Sequence, residues 1–153
     1  MSSSSSTTRT LAALIPLSYH AQARSPRAGP TICHVATILI VDPDPANRSL
    51  LELLVLRLGH RPIGQQELAE GEEPDLMLLE PASGPGLRLA LRLRQRLLRL
   101  PILCVSIEPP SEETSSLEAI DHVMKPFRRS TLEHALERAL IQARAEKEVR
   151  QPA

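Results

Sequence analysis

From residue 36 onward, short apolar runs alternate with longer stretches of helical periodicity, and this alternation constrains the fold more than any other feature. The sequences ATILIV (36–41), PDLMLLE (74–80) and PILCVSI (101–107) contain continuous apolar runs, typical of strands that are covered on both faces. RPIG (61–64) and HVM (122–124) are predicted as two shorter strands. Strands that alternate with helices pair in parallel through right-handed crossovers, so we predict an α/β fold with a five-stranded parallel sheet.

The stretches between these strands carry helix signals. Asp44 is the predicted N-cap of the first helix, and Gly59 is expected to end it in the C′ position. A second long helix is predicted over residues 86–100, after the third strand. The last helix is predicted to open with a capping box formed by Ser130 and Glu133. We therefore predict three long helices in this part of the chain.

Two other connections are too short for full helices. The chain between Gly59 and Pro74 leaves little room for a helix after the second strand, and residues 109–121 allow only a clipped one before the fifth. We therefore predict shortened second and fourth helices in the strand–helix alternation.

Composition excludes several classes of function. The 153 residues include 18 basic and 18 acidic side chains, so the chain lacks the excess of positive charge typical of nucleic-acid-binding domains. No apolar stretch is long enough to span a membrane. The histidines and cysteines do not have the spacing of zinc ligands, and Cys104 lies in an apolar run that favours an inert buried thiol. We expect no nucleic-acid partner and no membrane partner.

The first 35 residues differ from the rest of the chain. They are rich in serine, contain arginine and lack acidic residues. We predict a disordered, low-complexity tail over 1–35, a domain over 36–148 and a short tail over 149–153. An organellar transit peptide, a secretory signal and a start codon placed too early remain open for the first segment.

Polar residues follow the predicted strands at their carboxyl ends. Asp42 comes after the first strand, Glu80 after the third, Ser106 near the end of the fourth and Lys125 after the fifth. In parallel sheets of this kind the functional crevice lies beyond the carboxyl ends of the strands. The sequence therefore predicts that two acids, a hydroxyl and a lysine meet at one edge of the sheet.

Three motifs in this order resemble the receiver domain of bacterial two-component response regulators. ILIVDPDPANRSLLELLVLRLGH (38–60) resembles the first strand and helix of that family, PDLMLLE the strand with the phosphoacceptor, and KPF (125–127) the lysine–proline turn. The resemblance covers roughly residues 36–147. It implies a flavodoxin-like, doubly wound sheet with strand order 2-1-3-4-5, and a cytoplasmic signalling protein.

The resemblance also implies roles for single residues. In the family, an aspartate after strand three attacks a phosphoryl donor with the help of Mg²⁺, which a pair of acids after strand one holds. The phosphoacceptor position falls on Glu80, and the metal pair falls on Asp42 and Pro43. Proline offers no side-chain oxygen, and glutamate is one methylene longer than aspartate. Mg²⁺ is therefore expected to bind weakly if at all, through Asp42 and Glu80.

The remaining family positions fall on the last two strands. Ser106 takes the place of the hydroxyl that binds phosphoryl oxygens, and Lys125 that of the lysine that neutralises their charge. His122 takes the switch position, where an aromatic residue is usual. The family also implies a cis peptide bond between Lys125 and Pro126, which turns the lysine toward the pocket.

The departures at positions 43 and 80 predict a degenerate, stand-alone receiver that is not an enzyme and not phosphorylated. Its partner would be a protein, either a histidine kinase or a downstream signalling protein. Glu80 either mimics the phosphorylated state or forms charge pairs at the sheet edge. An active phosphorelay receiver with relaxed geometry is the first alternative. A flavodoxin-like small-molecule binder is the second, disfavoured because DPDPAN (42–47) lacks the residues that cradle phosphates.

Overall fold

Five parallel strands form the centre of the domain. The computed structural model describes residues 34–150. The strands in chain order are β1 Thr37–Val41, β2 Arg61–Gly64, β3 Leu76–Leu79, β4 Ile102–Ser106 and β5 Asp121–Met124. They lie in the order β2-β1-β3-β4-β5, and every neighbouring pair is parallel. The predicted α/β class and strand order are confirmed.

The helices differ greatly in length. They are α1 Pro45–Arg57, α2 Gly84–Arg96, α3 Glu112–Ser115 and α4 Arg129–Arg150. Residues 65–75, between β2 and β3, form turns and an irregular segment in place of a helix, and α3 has a single turn. The shortened second and fourth helical connections are therefore also confirmed.

Both predicted ends of α1 are present. Oδ1 of Asp44 accepts hydrogen bonds from the backbone N–H of Ala46 at 2.8 Å and from that of Asn47. Gly59 has a φ of +81°, a left-handed conformation that suits glycine. The N–H of His60 then reaches the carbonyl of Val55 at 3.1 Å, which closes a Schellman motif. These caps fix where the chain leaves β1 and where it returns to β2.

The start of α4 differs from the prediction. The helix begins at Arg129, one residue before the proposed N-cap Ser130, so the predicted capping box with Glu133 is wrong. The carbonyl of Arg128 accepts hydrogen bonds from the N–H groups of Thr131 and Leu132. The first turn therefore closes earlier than the capping pattern indicates.

The end of α2 also differs from the prediction. The helix stops at Arg96, before the predicted end at residue 100. The guanidinium of Arg94 donates to the carbonyls of Leu100 at 2.6 Å and Leu117 at 2.5 Å. It also donates to the carbonyl of Leu98. The side chain thus stabilises a turn in the backbone where the sequence pattern indicated helix.

The sheet separates two apolar layers, because successive side chains of a strand point to opposite faces. Helices α1 and α4 pack on one face, against Ile38, Ile40, Leu76, Leu78, Leu103 and Val105. Helix α2 packs on the other, against Leu39, Val41, Met77, Leu79, Ile102 and Cys104. This two-sided burial explains why the central strands are continuously apolar.

The chain ends lie largely beyond the described part. The predicted tail over 1–35 falls mostly outside the described residues, as does 151–153. Helix α4 runs to Arg150, two residues past the predicted end of the domain. Among the helices of residues 34–150, none combines the length and apolarity needed to cross a bilayer.

Candidate functional site

The residues predicted at the strand ends come together at the carboxyl edge of the sheet. Strands β1 and β3 are neighbours, so Asp42 and Glu80, which follow them, lie side by side. Ser106 ends β4, and Lys125 follows β5. Asp42 is 4% exposed, Glu80 6% and Ser106 1%. Burial of two carboxylates is costly without partners, so their contacts determine what the site can do.

Lys125 is the partner of both carboxylates. Its Nζ lies 2.7 Å from Oδ2 of Asp42 and 2.9 Å from Oε2 of Glu80. The peptide bond between Lys125 and Pro126 is cis, as predicted. The backbone N–H of Lys125 donates to the carbonyl of Ser106 at 2.8 Å and extends the β4–β5 pairing by one bond. The lysine therefore joins the ends of β1, β3 and β5.

The two carboxylates strengthen the positive charge of this lysine. Burial alone lowers the pKa of the Lys125 ammonium. The hydrogen bonds that it donates to Asp42 and Glu80, together with the charges of these groups, outweigh that effect and raise its pKa above the ordinary value of 10.5. Lys125 is therefore charged throughout the physiological pH range.

The remaining carboxylate oxygens accept backbone hydrogen bonds. Oδ1 of Asp42 accepts from the N–H of Asp44 at 2.9 Å, and Oε1 of Glu80 accepts from the N–H of Ala82 at 3.2 Å. Each of the four carboxylate oxygens therefore has one donor. These bonds also shape the loops after β1 and β3, since each carboxylate binds the backbone two residues further along.

Arg48 and Ser83 also belong to the site, although the sequence did not reveal them. Nη1 of Arg48 donates to the carbonyl of Asp42 at 3.1 Å. Oγ of Ser83 donates to the carbonyl of Glu80 at 3.3 Å and accepts from the N–H of Gly86 as the N-cap of α2. The Ser-Gly-Pro-Gly sequence three residues after Glu80 is the signal that could have identified Ser83 as a helix cap.

Solved structures of receiver domains have the same arrangement of strands and helices. A response regulator from Thermotoga maritima is 20% identical with a TM-score of 0.60, and the match covers 70% of this chain and 98% of that one. NtrX from Brucella abortus is 27% identical with a TM-score of 0.66, covering 76% of this chain and 29% of that protein. This chain has the receiver fold.

A third similar structure is the receiver domain of the sensor histidine kinase PA1611 from Pseudomonas aeruginosa. It is 22% identical with a TM-score of 0.60, and the match covers 70% of this chain and 98% of that domain. In that domain a magnesium ion is coordinated in the active-site cleft. No protein-family model and no curated protein matches the chain.

The residues at the corresponding edge of this receiver fold do not fit a magnesium site. Mg²⁺ requires oxygen ligands in near-octahedral geometry. Pro43 supplies no side-chain oxygen, and the oxygens of Asp42 and Glu80 already accept hydrogen bonds from Lys125 and the backbone. Within residues 34–150 no group of three or more His, Cys, Asp and Glu side chains has a metal-binding arrangement.

Ser106 and His122, at the other two receiver positions, form no hydrogen bond with the carboxylates of Asp42 and Glu80. Oγ of Ser106 accepts from the N–H of Glu108 at 3.1 Å. Nε2 of His122 lies 3.1 Å from the carbonyl of Glu108, so both side chains hold the loop after β4. Of the two contacts that a phosphate-like Glu80 would make, the one with Lys125 is formed and the one with Ser106 is not.

Cys104 lies beneath the carboxyl edge, on β4, and is fully buried. Burial raises the pKa of its thiol to about 11, with a further contribution from the negative charge of Glu80. The thiol is therefore neutral at physiological pH, and its location agrees with the prediction of a buried, inert cysteine.

A cleft of about 500 Å³ opens beside the site. Its walls come from the loop after β1, helix α1, the start of α2 and the turns that replace a helix after β2, including Pro43, Arg48, Gln65 and Ser83. The missing helix thus leaves the carboxyl edge open on the β2 side.

Proposed function

We propose that the chain is a degenerate receiver that acts by protein–protein contact in a two-component or phosphorelay pathway, without phosphorylation of Glu80. The single observation that carries this proposal is that the carboxyl edge has Glu80 in the place of the nucleophile and Pro43 in the place of a metal ligand. Lys125, at the position of the family's lysine, pairs with both Asp42 and Glu80, and Pro43 adds no side-chain oxygen with which the site could hold a metal ion. The fold supports a signalling role, and the side chains at the carboxyl edge favour a site that is not phosphorylated.

The charge balance opposes phosphoryl transfer. An acyl phosphate on Glu80 would have nearly two negative charges in place of the single charge of the carboxylate, at a site that also has the Asp42 carboxylate and only one ammonium group. Receivers offset this charge with Mg²⁺, which also stabilises the charge that develops during transfer. Because Pro43 replaces one metal ligand, this site would have to accommodate the added charge with Lys125 alone.

The nucleophile is also displaced. Glu80 is one methylene longer than aspartate, and its Oε2 already lies 2.9 Å from the Lys125 ammonium. In-line attack depends on near-ideal placement of the reacting oxygen, and displacements of about 1 Å can lower rates a hundredfold. The longer side chain therefore supports the same conclusion as the proline.

Charge pairing explains the site better than mimicry of the phosphorylated state. A mimic would draw both Lys125 and Ser106 toward Glu80, whereas the hydroxyl of Ser106 is engaged with the loop after β4. We therefore assign Asp42, Glu80 and Lys125 a structural role that fixes the carboxyl edge in one arrangement. The signalling partner, a histidine kinase or a downstream protein in the cytoplasm, would recognise this fixed arrangement.

Intact-mass spectrometry after incubation with acetyl phosphate and Mg²⁺ tests the proposal. The purified chain should gain no covalent phosphate under conditions in which a receiver with aspartate at both positions is phosphorylated. Stoichiometric phosphate on the wild-type chain, lost in Glu80→Gln, would establish an active receiver and contradict the proposal. Phosphate that persists in Glu80→Gln would lie at another residue, and Glu80 itself would still be unphosphorylated.

Partner capture from the native host provides the second test. Partner binding should be the same with and without the phosphodonor, because no phosphorylated form arises. A partner that binds only after phosphodonor treatment would contradict the proposal.

A further inference from the structure

Helix α1 has an apolar surface on the side that faces away from the sheet. Leu51, Leu54 and Val55 are buried on its inner side. Leu50, Leu53 and Leu56 lie on the opposite side with 45%, 48% and 58% of their surface exposed. We call this side the outer face of α1, and its exposed residues are Ala46, Ser49, Leu50, Leu53, Leu56 and Arg57.

The outer face has the spacing of a helix–helix contact. Its positions recur at intervals of three and four residues, the pattern that forms a seam between two helices packed side by side. Leu53 lies at the centre of this seam, with Leu50 and Leu56 flanking it. Arg57 is its only charged residue. Clustered leucines of this kind on a protein surface mark an interaction site.

The charges at the two ends of α1 indicate a second copy of the chain as the occupant. Asp44 precedes the first turn and Arg57 ends the last, and both are exposed. Among the described residues, Arg57 forms no ion pair. In an antiparallel pair of α1 helices, Asp44 of each copy lies near Arg57 of the other, and the helix dipoles are also complementary. A parallel pair would bring like charges together.

We propose that two copies of the chain associate through the outer faces of their α1 helices, packed antiparallel. Twofold symmetry then places Leu50 of one copy opposite Leu53 of the other, on both sides of the axis. Helix α1 has 13 residues and is about 20 Å long, so the pair buries less than the roughly 1,200–2,000 Å² of a standard interface. The dimer is therefore weak and depends on concentration. It is independent of whether Glu80 accepts phosphate.

Sedimentation equilibrium of the full chain, up to about 1 mM, tests the dimer. The wild type should dimerise reversibly, and Leu53→Gln should raise the dissociation constant at least about tenfold. Leu98→Gln is the matched control, because Leu98 is 76% exposed after the end of α2, which packs on the opposite face of the sheet. Thermal unfolding would verify that both variants remain folded.

The sedimentation results distinguish a second copy of the chain from other partners of the outer face of α1. A wild-type chain that stays monomeric would leave the outer face to a different partner and would overturn the proposal. A dimer that Leu53→Gln leaves unchanged would use another surface and would overturn it as well.

Disulfide trapping tests the orientation. In a Cys33→Ser background, Leu50→Cys and Leu53→Cys chains would be mixed and oxidised, with Cys104 remaining buried. An antiparallel pair should form the mixed disulfide between positions 50 and 53 fastest. Faster homodimers at 50–50 and 53–53 would indicate a parallel pair and would contradict the proposed arrangement.

Discussion

Lys125 and Glu80 are 45 residues apart in the sequence, yet the lysine Nζ lies 2.9 Å from the glutamate Oε2. The same ammonium group lies 2.7 Å from Asp42, which is 83 residues away. Both contacts are partly buried and lie at the carboxyl ends of parallel strands, where the fold brings distant residues together. One cation thus pairs with two carboxylates, so we expect the stability of the domain to depend on this single side chain.

Replacing Lys125 with methionine should destabilise the domain strongly at neutral pH. The change leaves two neighbouring buried carboxylates without a cation, and breaking a buried pair in this way costs about 3–5 kcal/mol. Chemical denaturation measures the loss. Lys147→Met is the control, since the Lys147 side chain is 54% exposed in its pair with Asp75 and should contribute at most about 1 kcal/mol.

Neutralising the carboxylates should rescue this variant. The triple change Lys125→Met, Asp42→Asn and Glu80→Gln removes the unpaired charges and should recover much of the lost stability. A cost below about 1 kcal/mol for Lys125→Met alone would contradict a structural role for the pair.

The charge of Lys125 also predicts the direction of its pH dependence. The folded pKa is raised, so the contribution of Lys125 to stability is complete below the ordinary value of 10.5. It is lost as the pH rises through the folded pKa, because the unfolded chain then releases the proton more readily. The wild type should therefore lose stability above about pH 10.5 by a step that is absent from Lys125→Met.

Cys104 should cause a separate alkaline loss of stability at lower pH. The thiol stays neutral in the fold up to a pKa of about 11, whereas in the unfolded chain it ionises near 9.0. Since the unfolded state binds fewer protons in this interval, the free energy of unfolding should fall by about 2 kcal/mol as the pH rises from 9 to 11. The difference between wild type and Cys104→Ala, measured by urea denaturation from about pH 8 to pH 11, isolates the thiol. Equal slopes in the two proteins would contradict this prediction.

A side chain at Gly86 should destabilise the domain. A Cβ at this position would lie 2.5 Å from Oγ of Ser83, 3.1 Å from Val41 and 3.2 Å from Leu79. Gly86→Ala should therefore displace the N-cap of α2 or the ends of two strands, at a cost of about 1–3 kcal/mol in thermal unfolding. Gly84→Ala is the matched control, because its Cβ would meet only the flexible end of Arg88, at 3.3 Å. Destabilisation by Gly84→Ala as large as that by Gly86→Ala would show that the contact with Ser83 is not the cause.

The sequence predicted the parts of the site that follow from strand ends. The apolar runs before Asp42, Glu80 and Lys125 located the strands, and parallel pairing placed those residues at one edge. It placed Ser106 at the same edge but did not predict that its hydroxyl bonds the loop after β4, because the direction of a short side chain depends on the local backbone. The meeting of these residues at one edge of the sheet could be predicted, but the hydrogen bonds that they form there could not.

Helix boundaries and helix faces were less predictable. Arg94 lies between Leu93 and Gln95 in an arginine-rich helix, and nothing in that pattern indicates that its guanidinium binds carbonyls beyond the helix end. In α1, leucines surround the helix on all sides, so periodicity cannot tell that Leu51 is buried and Leu53 exposed. Both features depend on tertiary neighbours, which a local pattern does not contain.

Restoring the two departures together should restore phosphorylation. Pro43→Asp supplies a second metal ligand beside Asp42, and Glu80→Asp shortens the nucleophile, while Lys125 keeps its place. The double variant should take up phosphate from acetyl phosphate with Mg²⁺ well beyond the sum of the single variants, because groups that act as a unit are not additive. Intact mass measures the phosphate, and EDTA should abolish the uptake.

The single variants separate the two causes that we propose for the absence of phosphorylation. Glu80→Asp alone should stay almost unreactive for lack of a metal ligand, and Pro43→Asp alone should gain some Mg²⁺ affinity but little transfer. Pro43→Ala combined with Glu80→Asp is the matched control, since it removes the proline ring without adding a carboxylate. If that control reacted as fast as the aspartate double variant, the missing metal ligand would not be the cause. The restriction that Pro43 imposes on the backbone would then be what prevents phosphorylation. Rapid phosphorylation of Glu80→Asp alone would instead show that the longer side chain of Glu80 is what prevents phosphorylation.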